Sequence, residues 1–151
     1  VARPRKQPKI ASRPGPVEKR PRRFPTTGHN SEQVAWRFGW IDRDEACRWS
    51  FESVAADKLA EIIKKLGDWE GKTWAQILTE DKKAQHDVAL ESLIPDAQAQ
   101  LQKMKLDDFD ALFRFRFSGK ERLWGVRIDN IFYLLWWDPE HEVCPSTKRN
   151  T

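Results

Sequence analysis

The chain has 151 residues, 27 of them Lys or Arg and 23 Asp or Glu, for a formal net charge of +4 with 39% hydrophobic residues, which fits one compact domain. No run approaches the roughly 18 consecutive apolar residues of a spanning helix, and the N-terminus lacks the apolar core of a secretory signal. Cys47 and Cys144 stand alone, so their spacing suggests neither a zinc cluster nor a disulfide framework, and a cytoplasmic setting is expected.

The charge is unevenly divided. Residues 1–30 hold nine Lys or Arg, one acid and six of the nine prolines, a net charge of +8, whereas residues 31–151 are −4. With Ile10, Val17 and Phe24 as almost its only bulky apolar residues, the first segment cannot bury enough surface to offset its ordering entropy, and it reads as a disordered basic tail. Its run Lys19–Arg23, KRPRR, is a phosphate-seeking patch that also matches a nuclear-targeting pattern weakly.

The domain is expected to occupy residues 31–151. Val34, Trp36, Phe38 and Trp40 alternate with smaller or polar residues, the period of a strand with one buried face. Asp42–Glu45 reads as a charged turn. From Ser53 the pattern turns helical, with Leu59, Ile62, Ile63 and Leu66 as the apolar face, Ser53 as cap and Gly67 as stop. A shorter helix follows, capped by Thr73, with Trp74, Ile77 and Leu78 as its stripe. Residues 80–86 look loop-like and 88–94 are ambiguous. Pro95 suits the first turn of a third helix, which carries Ala97, Leu101 and Met104 to an end near Leu106.

The last third carries the clearest pattern. Along residues 112–117, Phe113, Phe115 and Phe117 point to one side of a strand and Arg114 and Arg116 to the other. Ser118, Gly119 and Lys120 turn the chain into a second strand over 121–128. Asp129 and Asn130 tolerate left-handed backbone and make the next hairpin turn. An apolar strand over 131–137 follows, and Asp138–His141, DPEH, closes it. The expected fold is therefore α+β: an N-terminal strand, two or three helices, then a three-stranded antiparallel meander packed on the helices.

This order of elements, together with the segment RFRFSGKERLWG and the ending HEVC at His141–Cys144, resembles the RelE/ParE superfamily of bacterial toxins, which includes ribosome-dependent mRNA endonucleases. The topological resemblance spans about the last 120 residues, and its specific part the last 35 or so. Arg114 and Arg116 match the family's paired basic residues, Arg122 its strand-opening Arg, and His141 its C-terminal His. Cys144 stands where the family usually has Tyr, and Asp138 and Glu140 make acidic a segment that is commonly basic. The resemblance implies a toxin-like, metal-independent endoribonuclease without a cofactor, whose partners are RNA or the ribosome and a cognate antitoxin or other inhibitory protein.

Cleavage through the 2′-hydroxyl needs a base, cations for the phosphorane and an acid for the leaving oxygen. His141 fits the acid or base, with Glu140 or Glu142 orienting it or acting as base. Arg122 is expected to be catalytic with His141 and Glu140, as a cation for the phosphorane, and Arg114 and Arg116, with Lys120 and Arg127, are the candidate phosphate and substrate contacts, since a guanidinium offers a planar fork. Trp124, Tyr133 or Trp137 could stack on an unpaired base. Duller roles exist for each: a solvated sheet face for the arginines, core packing for the aromatics, turn chemistry for DPEH. Two other classes therefore stand beside the nuclease, a non-catalytic nucleic-acid or protein-binding module and a ParE-like topoisomerase poison.

Overall fold

A computed structural model describes residues 27–80 and 84–145 of the chain; the KRPRR run lies outside the described residues. The fold is α+β, with three helices and one five-stranded mixed sheet. Among the described residues, no helix is long and apolar enough to cross a membrane.

The meander is the centre of the sheet. Strand β3 (Ala111–Arg116) pairs antiparallel with β4 (Arg122–Ile128), and β4 pairs antiparallel with β5 (Ile131–Asp138). Two short strands extend it. On one side β1 (Ala35–Arg37) runs parallel to β5, and on the other β2 (His86–Ala89) runs antiparallel to β3, giving the order β1-β5-β4-β3-β2. Strand β2 falls in a stretch expected to be a loop running into ambiguous sequence.

Both sheet faces are covered, which explains why β4 and β5 read as nearly continuous apolar runs rather than as alternating ones. Helices α1 (Ala56–Glu70) and α2 (Trp74–Glu80) cover the face of Phe113, Phe115, Leu123, Phe132, Leu134 and Trp137. Helix α3 (Pro95–Lys103), with parts of the 42–51 segment, covers the opposite face, where Leu112, Trp124, Val126, Leu135 and Trp136 lie. A bulge in β5 lets Leu135 and Trp136 serve the same face: Trp124 stands opposite Trp136, while the next residue, Gly125, stands opposite Leu134. Gly125 is required there because a Cβ would lie 2.2 Å from the Tyr133 carbonyl oxygen and 2.4 Å from the Phe132 ring.

Several local expectations need correction. Helix α1 runs through Gly67 to a cap at Gly71, so the Trp69 ring joins its buried stripe and packs 4.7 Å from Phe115. The stripe becomes Ile62, Leu66 and Trp69, which turns Leu59 (38% exposed) and Ile63 (58% exposed) toward solvent. Ser53 does not cap α1, whose N-cap is Ala55; Ser50 instead caps a 3₁₀ turn over Phe51–Ser53. Strand β1 is only three residues long. After it Phe38 is exposed and Trp40 packs against the α3-side cluster.

Other local signals match the structure. Thr73 and Gln76 form a reciprocal capping box at α2, with Thr73 Oγ1 accepting from the Gln76 amide and Gln76 Oε1 from the Thr73 amide. Pro95 opens α3. Asp42, at the start of the expected charged turn, is buried: its carboxylate accepts from the Trp136 indole at 2.8 Å, Gln100 Nε2 at 2.9 Å and the Asp44 amide at 2.9 Å, tying the 42–51 segment to α3 and β5.

Candidate functional site

Cross-strand register decides which charged side chains meet. Arg116, Arg122 and Asp138 are aligned across β3, β4 and β5, and the neighbouring row holds His86, Arg114, Trp124 and Trp136 across β2 to β5. Both rows lie on the α3-side face, because side chains two apart along a strand share a face. The chain leaving β5 then turns back, and His141 comes to the same place.

The Arg114 guanidinium is the hub. Its Nη1 lies 3.3 Å from His141 Nε2 and its Nη2 lies 2.8 Å from His86 Nε2. A guanidinium only donates, so both Nε2 atoms accept and both imidazoles are neutral in this arrangement. The His86 tautomer is fixed as well, since its Nδ1 is 2.9 Å from the Asp87 carbonyl and must carry the hydrogen. Arg114 also sits over the Trp124 ring at 6.0 Å.

Arg122 is 7% exposed. Its Nη1 donates to the Gly119 carbonyl at 2.7 Å and the Glu121 carbonyl at 3.0 Å, while its buried Nε has no partner. It stands directly opposite Arg116, a like-charge pairing that costs stability. Burial, followed by the charges of Arg114 and Arg116, lowers its pKa, and burial lowers that of Arg114. These cations also act on His141. Burial first, then Arg122 and Arg114, pushes its pKa below the usual histidine value, against the opposing pull of Asp138.

Asp138 holds the turn that delivers His141. Fully buried, its carboxylate accepts from the Glu142 amide at 2.9 Å, the Val143 amide at 3.0 Å and the Trp124 indole at 3.2 Å. His141 itself has φ of 57°, in the left-handed region that non-glycine residues seldom occupy. Strain of this kind persists only where the surroundings enforce it, and here the carboxylate does so through the two following amides.

The structure thus brings Arg114, Arg122 and His141 together, with Arg116 at the rim, where it lines a cavity of about 340 Å³ with Lys65, Gln85 and Phe117. Other candidates lie elsewhere. Glu140 is exposed and faces Lys120 at 3.9 Å, and Glu142 pairs with Arg48 at 2.9 Å, so the acid beside His141 is Asp138 and not Glu140. Lys120 sits on the exposed turn between β3 and β4. Arg127 is on the opposite sheet face, over the Trp74 ring at 4.0 Å and bonded to Asn30, because five residues from Arg122 is an odd number of steps.

The aromatic candidates are all engaged. Trp124 is fully buried, Trp137 packs on the α1 side, and Tyr133 stacks on Trp40 at 4.1 Å. Trp124 and Trp137 are buried and present no open ring to a base, while Tyr133 is half-buried with one ring face against Trp40. Sequence reasoning missed His86, whose place depends wholly on the β2–β3 register, whereas the turn chemistry expected of Asp138 is what its carboxylate supplies. Among the described residues, no three His, Cys, Asp or Glu side chains converge as a metal-binding group. Comparison with protein-family models, curated proteins and solved structures gives no match for this chain.

Proposed function

We propose that this chain is a toxin-like, metal-independent RNA endonuclease with a RelE-type arrangement of strand, helices and meander, restrained in its own cell by an inhibitory protein partner. The observation that carries the reading is the contact of a neutral His141 with Arg114 beside a buried Arg122. Three guanidinium groups, those of Arg114, Arg116 and Arg122, stand at one end of the sheet, a concentration of positive charge that suits an anionic ligand.

A phosphodiester fits that need. Arg122 and Arg114 stabilise the charge that builds on the phosphorane, acting where partial burial strengthens each interaction. His141 Nε2 is the base for the 2′-hydroxyl: its pKa is lowered by burial, Arg122 and Arg114, and its lone pair, which accepts from Arg114, is freed when that guanidinium turns to the phosphate. Asp138 positions it by fixing the turn. The +8 segment over residues 1–30 supplies sequence-independent attraction to the nucleic-acid backbone, which the −4 remainder does not.

One observation favours a non-catalytic binding module on the same scaffold, namely that Trp124 and Trp137 are buried in the core and leave no ring there for stacking. Single-turnover cleavage of free and ribosome-bound RNA in EDTA separates the two. In the nuclease, Arg122→Ala and His141→Ala each lower the rate at least ~10²-fold with the fold retained, and Arg114→Ala weakens binding as well as turnover. No cleavage of either RNA by the folded wild-type chain, freed of any inhibitor, would sink the nuclease and leave the binding module.

A further inference from the structure

The base leaves a second proton unaccounted for. When the 2′-oxygen attacks phosphorus, the 5′-oxygen departs as an alkoxide unless an acid reaches it. Glu140 faces Lys120 and Glu142 faces Arg48, so neither carboxylate is aimed at the site, and Cys144, although near Arg114, turns its Sγ to the Ser92 carbonyl at 3.4 Å. His86 is aimed at the site. It comes from the edge strand β2, opposite Arg114, and meets the second Nη of the same guanidinium that His141 meets.

The two imidazoles therefore flank one cation from different elements, each with Nε2 pointing inward. A phosphate drawn to Arg114 would have one imidazole on either side, and in-line displacement places the attacking and leaving oxygens on opposite sides of phosphorus. The Asp87 carbonyl keeps the His86 ring oriented through Nδ1 and leaves Nε2 as its working atom.

Resting on the endonuclease reading above, we propose that His86 is the proton donor to the leaving 5′-oxygen, paired with His141 as base across Arg114. His86 Nε2 takes a proton from solvent once Arg114 turns its Nη atoms to the phosphate. The 2′-hydroxyl then gives its proton to His141 Nε2 as the O2′–P bond forms. The P–O5′ bond breaks, and its electron pair accepts the proton from His86 Nε2. The products are a 2′,3′-cyclic phosphate and a 5′-hydroxyl, with the proton moved from one imidazole to the other.

The test uses the full chain, an oligoribonucleotide, and the same strand with a 5′-bridging sulfur at the scissile phosphate, a leaving group that needs no acid. Two variants are compared: His86→Ala, and His86→Gln, whose amide oxygen can still accept from Arg114. Both should cut the ordinary RNA at least ~10²-fold more slowly than wild type, yet cut the sulfur-bridged strand within a few-fold of the wild-type rate. His141→Ala should be slow on both. Equal losses on the two substrates, rescue of ordinary cleavage by the Gln variant, or no loss in either variant would overturn the acid role of His86 while leaving the endonuclease intact. A wild-type chain that cuts neither strand would remove the endonuclease itself, and the acid with it.

Discussion

Replacing Asp138 by Ala tests how the turn that carries His141 is held. The carboxylate is fully buried and accepts from two backbone amides, those of Glu142 and Val143, and from the Trp124 indole. Truncation leaves these donors facing a small cavity. Each unsatisfied buried donor costs about 1 to 3 kcal/mol, and bonds to a charged acceptor lie at the upper part of the hydrogen-bond range. The expected loss is roughly 3 to 6 kcal/mol, a large share of the ~5 to 15 kcal/mol that holds a domain together. Asp138→Asn retains one acceptor oxygen, turns an NH₂ group toward donors and should fall at about half that loss. Urea unfolding midpoints with the slope checked for constancy measure both. If Asp138→Ala unfolds within about 0.5 kcal/mol of wild type, the carboxylate does not hold the turn, and the positive φ of His141 needs another cause.

Three further outcomes follow from the same geometry. The folded-state pKa of His141 lies below its ordinary 6.5, facing Arg114, Arg116, Arg122 and Asp138, so the unfolded chain binds the proton more readily. Its contribution is present above pH 6.5 and is lost as pH falls through the folded value; His141→Gln should therefore flatten the acid-side decline of Tm. Ile62→Ala should cost about 2 to 5 kcal/mol, whereas Ile63→Ala, at a 58% exposed site, should stay within about 0.5 kcal/mol; equal losses would reject the rotated helix face. Removing residues 1–26, which carry the full +8 charge, should weaken RNA binding and reduce the slope of log affinity against log salt; an unchanged slope would place phosphate attraction in the remaining residues.

How much of this was legible in the sequence depended on the range over which each signal acts. The meander was, because the Phe/Arg alternation of β3 and the Asp129–Asn130 turn act within a few residues. The pairing of α2 with its Thr73 cap was local too. Helix α1 was found but rotated, since Gly67 alone looked like a stop and hid Trp69, whose packing against Phe115 depends on the sheet. Arg127 was misplaced although parity along β4 already set it opposite Arg122. The depth of Trp124 could not be read, because the cover above it comes from distant elements. His86 was invisible for a stronger reason: HDVA has no strand periodicity, and only pairing with β3 brings its ring to Arg114.

The parallel pairing of β1 with β5 joins residues near the two ends of the described chain, Ala35 with Ile131 and Arg37 with Tyr133. A contact across so much intervening chain forms late, since the loop must close before the contact rewards it. During synthesis, Trp36 has no Phe132 ring to pack on until the last strand has left the ribosome, whereas β2, β3 and the first two helices can already meet. The Arg114–His86 contact can thus precede completion of the sheet, but His141, which follows β5, arrives only afterwards. A chain that stops short of His141 therefore carries an unfinished centre, in which Arg114 meets His86 but lacks its second imidazole.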